Sequence, residues 1–164
     1  MVSKGITLGA ASARLSAAPA EVIAARSEGK NGSVAGKAGD APDEAATAGR
    51  RIALADDEPD LVFVLVTMIS KWNYDLEMIA DDGTQLVTAI AERKIHPHIV
   101  LMDYRMKGTD GLTAAKKILL LDPSIRIIIA SADDSARAEV AKAGLGFLQK
   151  PFSSAQLKRA LDSP

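Results

Sequence analysis

The sequence predicts an α/β domain over residues 50–164: a doubly wound, five-stranded parallel sheet with five helices. Three observations predict it. From Arg50 onward, strand-like runs alternate with segments of helical apolar spacing five times, which implies right-handed crossovers and a sheet covered on both faces. Four of the runs, 51–55, 98–102, 126–130 and 146–149, are almost continuously apolar, as strands buried on both faces are. Each of the four ends in reactive side chains, namely Asp56-Asp57, Asp103, Ser131 and Lys150. Ligands of open α/β sheets bind outside the carboxyl ends of the strands.

The elements follow in order. After the first strand, Glu58 to Lys71 reads as a helix with Leu61, Val62, Leu65, Val66, Met68 and Ile69 as its apolar face. Pro59 stands near its start, where a missing amide donor costs nothing, and Asn73 suits a left-handed cap. Tyr74 to Ala80 is the second strand. Asp82-Gly83 turns into a helix from Thr84 to Arg93 that buries Leu86, Val87, Ala89 and Ile90. Pro97 breaks the chain before the third strand. The third helix follows Asp110-Gly111, buries Leu112, Ala115, Ile118 and Leu119, and stops at Asp122-Pro123. The fourth strand leads to an alanine-rich helix, Asp134 to Ala143, closed by Gly144. Ser153 caps a last helix holding Leu157, Ala160 and Leu161. In this arrangement the first strand is central, and the strand order reverses beside it.

Composition narrows the function. The 164 residues carry a formal net charge of -1 and no cysteine. Disulfide frameworks and thiol chemistry are excluded, and no bulk field recruits nucleic acid or anionic membrane. No apolar run reaches the length of a bilayer span. Residues 1–49 contain no Phe, Trp or Tyr and are dense in Ala, Gly and Ser, so they read as a disordered tail with at most a frail helical turn over 20–26. Arg14 interrupts the only apolar stretch of the start, against a targeting peptide. Within the tail, residues 32–37 mimic a phosphate loop, but the run is one residue short and Ala38 stands where Ser or Thr is required.

The strand ends supply the chemistry. Asp56, Asp57 and Asp103 would crowd together, and crowded carboxylates must protonate or find a cation. Hard oxygen ligands suit Mg²⁺. A carboxylate can attack phosphorus and form an aspartyl phosphate. Asp103, alone at its strand end between the acidic pair and the Ser131–Lys150 side, is the candidate nucleophile. The Ser131 hydroxyl and the Lys150 ammonium would each take a phosphoryl oxygen.

Asp56-Asp57-Glu58, the run from Leu101 to Met106, Asp110-Gly111, Ser131-Ala132 and Lys150-Pro151-Phe152 together resemble the response-regulator receiver domain of two-component signalling. The resemblance covers residues 50–164. It implies a flavodoxin-like sheet of order 2-1-3-4-5 and Asp103 as phosphoacceptor. Asp57, Asp56, Asp103 and the backbone carbonyl of Arg105 are implied as Mg²⁺ ligands. Ser131 and Phe147 become the switch residues, Lys150 the phosphoryl-pairing lysine, and Lys150–Pro151 a cis peptide. The implied phosphodonor is a histidine kinase or phosphotransfer protein. The output is a change in the face of the fourth helix, fifth strand and fifth helix, which would contact a downstream protein partner or a second copy in a homodimer. Ala138, Lys142, Phe147, Gln156 and Lys158 are candidate members of that face. The expected role is a phosphoacceptor with slow autodephosphorylation rather than an enzyme, stand-alone and cytoplasmic, with no direct nucleic-acid or membrane partner. The alternatives are a fragment of a hybrid sensor kinase or phosphorelay protein, and an aspartate-based phosphatase.

Three departures from the family pattern stand out. Lys107 replaces the usual proline and Thr109 the frequent methionine, which predicts a more mobile loop. His98 replaces the acid common before the third strand. Arg105 and Asp133 are expected to pair across the mouth of the site and hinder attacking water. Asp81-Asp82 and Asp133-Asp134 otherwise read as solvated acids or helix caps. His96 and His98 lack a third ligand for a metal site. Trp72 and Tyr74 read as packing of a helix–strand corner, and Met68, Met78 and Met102 as core.

Overall fold

The computed structural model describes residues 6–7 and 49–163. In chain order the elements are β1 (Ile6–Thr7), β2 (Arg51–Ala55), α1 (Pro59–Ile69), a 3₁₀ turn (Ser70–Trp72), β3 (Asp75–Ala80) and α2 (Gly83–Ala91). Then come β4 (Ile99–Asp103), α3 (Gly111–Leu121), β5 (Arg126–Ser131), α4 (Ala136–Lys142), β6 (Gly146–Gln149) and α5 (Ser154–Asp162). The sheet order is β1-β3-β2-β4-β5-β6. Counted from Arg51, the five parallel strands run 2-1-3-4-5, as the resemblance implied.

The sequence reading expects no strand before residue 50. Ile6–Thr7 nevertheless add a short antiparallel strand on the β3 edge, in register with Ile79 and Met78. The rest of the proposed tail, including the 20–26 turn and the loop mimic at 32–37, lies outside the described residues.

Period-two alternation along the buried strands feeds two separate cores. Ile52 and Leu54 of β2 pack with Leu65, Ile69, Leu157 and Leu161 under α1 and α5. Ala53 and Ala55 pack with Leu86, Leu112, Ala115, Ile118 and Val140 under α2, α3 and α4. The helices therefore cover both faces, and every central strand is buried.

Helix ends follow local chemistry. Asp82, Asp110 and Ser153 cap α2, α3 and α5 through their side chains, the last in a capping box with Gln156. Glu58 precedes Pro59 without a side-chain cap. The first helix is shorter than predicted: its last turn tightens to 3₁₀ before Asn73, which has the expected left-handed φ of 59°. The fourth helix also starts late, at Ala136, because Asp133 turns the chain by bonding Ser135. At the opposite end of the sheet the His98 ring accepts the Arg51 amide. Tyr74 and Trp72 pack at the corner beside α5, as expected. Lys158, read above as part of the switching face, instead binds Asp162 at 2.7 Å and lies over both rings. Met78 and Met102 are core, whereas Met68 is only partly buried.

Candidate functional site

β4 ends at Asp103, with a fully buried strand behind it. Its carboxylate accepts from Lys150 Nζ at 2.5 Å through Oδ1 and from the Arg105 amide at 2.7 Å through Oδ2. Lys150 follows β6 and is held by its own amide, which donates to the Ser131 carbonyl at 2.8 Å. The same ammonium reaches Asp56 Oδ2 at 3.0 Å, and Asp56 Oδ1 accepts the Glu58 amide at 2.9 Å. The Lys150–Pro151 peptide is cis.

One ammonium thus serves two buried carboxylates. Burial pushes the Asp103 carboxyl above its ordinary value; Lys150 and the Arg105 amide pull it down and Asp56 raises it further, with a net rise. Burial opposes the charge on Lys150 too, but bonds to Asp103 and Asp56 outweigh it and the net shift is upward. Ser131 is buried, and its hydroxyl accepts the Asp133 amide at 3.0 Å.

Asp57 differs from the expected arrangement. Its Oδ2 faces the loop after β4, 3.4 Å from the Lys107 amide and 3.9 Å from the Lys107 ammonium. Among the described residues, no three acids, histidines or cysteines form a group that could hold a metal ion. Lys150 joins Asp56 and Asp103, while Asp57 faces Lys107 on the loop after β4. The donor chemistry still suits a hard divalent cation, since three carboxylates face two ammonium groups and leave negative charge uncompensated.

The loop that carries Lys107 and Thr109 makes contacts with α2 and its cap. Thr109 Oγ1 lies 2.8 Å from Thr84 Oγ1, and the Thr109 amide points to Asp82 Oδ1 at 3.5 Å. Gly108 has φ of +91°, and a Cβ there would fall 2.7 Å from Asp82 Oδ2. Asp82 is thus both helix cap and loop anchor.

A cavity of about 760 Å³ opens over Asp103, lined by Arg105, Ser131, Ala132, Asp133 and Lys150 on one side. Leu61, Val64 and Met68 of α1, with Glu58, Pro151 and Phe152, form the other wall. Arg105 and Asp133 pair at 3.0 Å on its rim, as predicted. The α1 wall was not foreseen as part of the site. Its signal was an unbroken apolar run from Leu61 to Val66, more than one helix face can bury; Phe63 stays 73% exposed. Phe147 lies away from this cavity, partly buried against the α2–α4 core, with the Arg137 guanidinium 4.4 Å above its ring.

Comparison with known proteins gives concordant results. The family profile described as "Response regulator receiver domain" matches residues 52–162. The chemotaxis protein CheY of Thermotoga maritima is 33% identical over 117 residues, covering 70% of this chain and 96% of that protein. The receiver domain of the sensor histidine kinase PA1611 from Pseudomonas aeruginosa, solved with magnesium in its active-site cleft, aligns with a TM-score of 0.61 and 29% identity over 70% of this chain and 95% of that one. RcsB in complex with DNA aligns with a TM-score of 0.62 at 24% identity, over 69% of this chain and 58% of RcsB, a likeness of fold alone.

Proposed function

Since the chain belongs to the response regulator receiver domain family of two-component signalling, we propose that it is a switch whose Asp103 accepts a phosphoryl group from a histidine kinase or phosphotransfer protein. The observation that carries this reading is the Asp103 carboxylate. It sits at a strand end, is bonded on one oxygen to Lys150 and on the other to the Arg105 amide, and opens on a cavity large enough for a phosphoryl group and its donor.

Asp103 Oδ1, released by Lys150, attacks phosphorus while the bond to the donor nitrogen breaks, and the leaving imidazole keeps that electron pair. Lys150 shifts its ammonium from the carboxylate toward the transferred oxygens and stays bonded to Asp56. Ser131 donates its hydroxyl to another of those oxygens. Asp56, Asp57, Asp103 and the Arg105 carbonyl would hold Mg²⁺, which supplies two positive charges against the negative charge of the phosphoryl group. The apolar α1 wall and the exposed Phe63 favour a protein donor over a small molecule alone.

Added charge at the rim biases a two-state packing. Ser131 moves toward the phosphoryl oxygens, and Phe147 shifts against the core it already touches. The surface of α4, β6 and α5 carries the change to a protein partner. The phosphatase alternative needs a second acid two residues after the nucleophile; Arg105 occupies that position and is tied to Asp133.

The test is incubation with acetyl phosphate and Mg²⁺, followed by intact mass. The native protein is expected to gain one phosphoryl group, and Asp103→Asn none. Equal labelling of the two proteins, or no labelling of either, overturns the assignment.

A further inference from the structure

We propose that Lys107 is a built-in competitor of the divalent cation, holding the Asp57 carboxylate on the loop after β4 and so weakening metal binding in this chain. The proposal rests on the reading of Asp56, Asp57 and Asp103 as the Mg²⁺ site.

Two lysines face three carboxylates. Lys150 is spent on the two buried ones, at 3.0 Å from Asp56 and 2.5 Å from Asp103. Asp57 is left to Lys107, whose amide and ammonium both approach the same oxygen, Oδ2, at 3.4 and 3.9 Å. The backbone donor and the side-chain donor of one residue thus approach the same atom. The loop that carries them is fixed from α2 by the Thr84–Thr109 hydroxyl contact and by Asp82. A hard cation seeks carboxylate oxygen, so the ion and the lysine ask for the same group. An ammonium near that oxygen also repels a divalent ion directly. Lys107 is 90% exposed along its side chain, so water and salt screen the effect and keep it moderate. Asp57, by contrast, is only 19% exposed and has limited freedom to avoid the lysine.

The experiment is an Mg²⁺ titration of the full chain without any phosphoryl donor, followed by amide chemical shifts. It compares the native protein with Lys107→Gln, Lys107→Met, Lys107→Arg and Asp57→Asn, each checked for folding by circular dichroism. Both neutral variants are expected to bind Mg²⁺ about threefold to tenfold more tightly at low ionic strength, a gain that shrinks as salt screens the lysine. Lys107→Arg retains the charge and is expected to stay near the native affinity. Neutral variants that bind no more tightly than the native protein, or a gain indifferent to salt, overturn the role of Lys107 while leaving the metal site standing. If the native protein shows no saturable Mg²⁺ binding, or Asp57→Asn binds equally well, the metal reading itself falls and this inference with it.

Discussion

Gly111 begins α3 with its Cα against the main chain of Asp103. A Cβ built on it lies 2.1 Å from the Asp103 carbonyl oxygen, 3.1 Å from the carbonyl carbon and 3.3 Å from Met102 Cγ. Real contacts of this kind stay above 3.0 Å, so Gly111→Ala forces α3 and β4 apart by about 0.9 Å. The obstacle is backbone, which no rotamer change can clear. The helix has no slack either, since Leu112, Ala114, Ala115 and Ile118 are all buried in a close-packed core. Overpacking of this kind costs about 1–3 kcal/mol, and a backbone obstacle belongs at the upper end. The lower backbone entropy of alanine returns about 0.5–1 kcal/mol. The net loss is about 2 kcal/mol, or roughly 8 °C in Tm for a domain of this size. Urea unfolding followed by circular dichroism measures the loss, and acetyl phosphate labelling reads the displacement of Asp103 as slower phosphorylation. A loss below about 0.5 kcal/mol with native labelling refutes the steric argument. Gly144→Ala is the control. That residue has φ of +72° and no neighbour within 4 Å, so it is expected to cost about 1 kcal/mol of left-handed strain and leave labelling unchanged.

Two further outcomes follow from the charges. The folded-state pKa of Asp103 is raised above its unfolded value, so its stabilising contribution is complete below about pH 3.9 and is lost as pH rises through the folded value. In metal-free buffer, native stability minus that of Asp103→Asn is therefore expected to fall as pH rises above the ordinary carboxylate range in urea titrations; a difference that grows with pH contradicts the burial argument. Arg105→Ala removes the guanidinium paired with Asp133 over the cavity mouth, and is expected to shorten the aspartyl phosphate lifetime roughly threefold in a phosphate-release assay, an unchanged lifetime discarding the idea of a water barrier.

Much of the fold is local information. The run from Ile127 to Ala130 is a buried strand because nothing in it can face water, and Ser153 with Gln156 marks a helix start through two short-range bonds. Residues such as Asn73 and Asp82 were legible because a single side chain or φ angle decides what they do. The boundaries that drifted, at Lys71 and Asp134, are places where a 3₁₀ turn or an Asp–Ser turn competes with helix on nearly equal terms. The short β1 pairing was not legible: a two-residue strand carries no period, and its partner on β3 lies more than seventy residues away. The glycine in Asp110-Gly111 was visible as a motif, but its reason, contact with the Asp103 carbonyl, belongs to packing.

By itself the sequence determined the alternation of elements, the parallel sheet and the set of side chains delivered to its rim, because hydrophobic period and strand direction act along the chain. Only the tertiary structure decided which charges meet. Lys150 joins Asp56 and Asp103 across separations of 94 and 47 residues. Lys107 takes Asp57 from 50 residues away, and the surplus apolar residues of α1 become a wall of the cavity. Direction and distance between side chains on different elements depend on how the layers pack, and no spacing along the chain encodes that geometry.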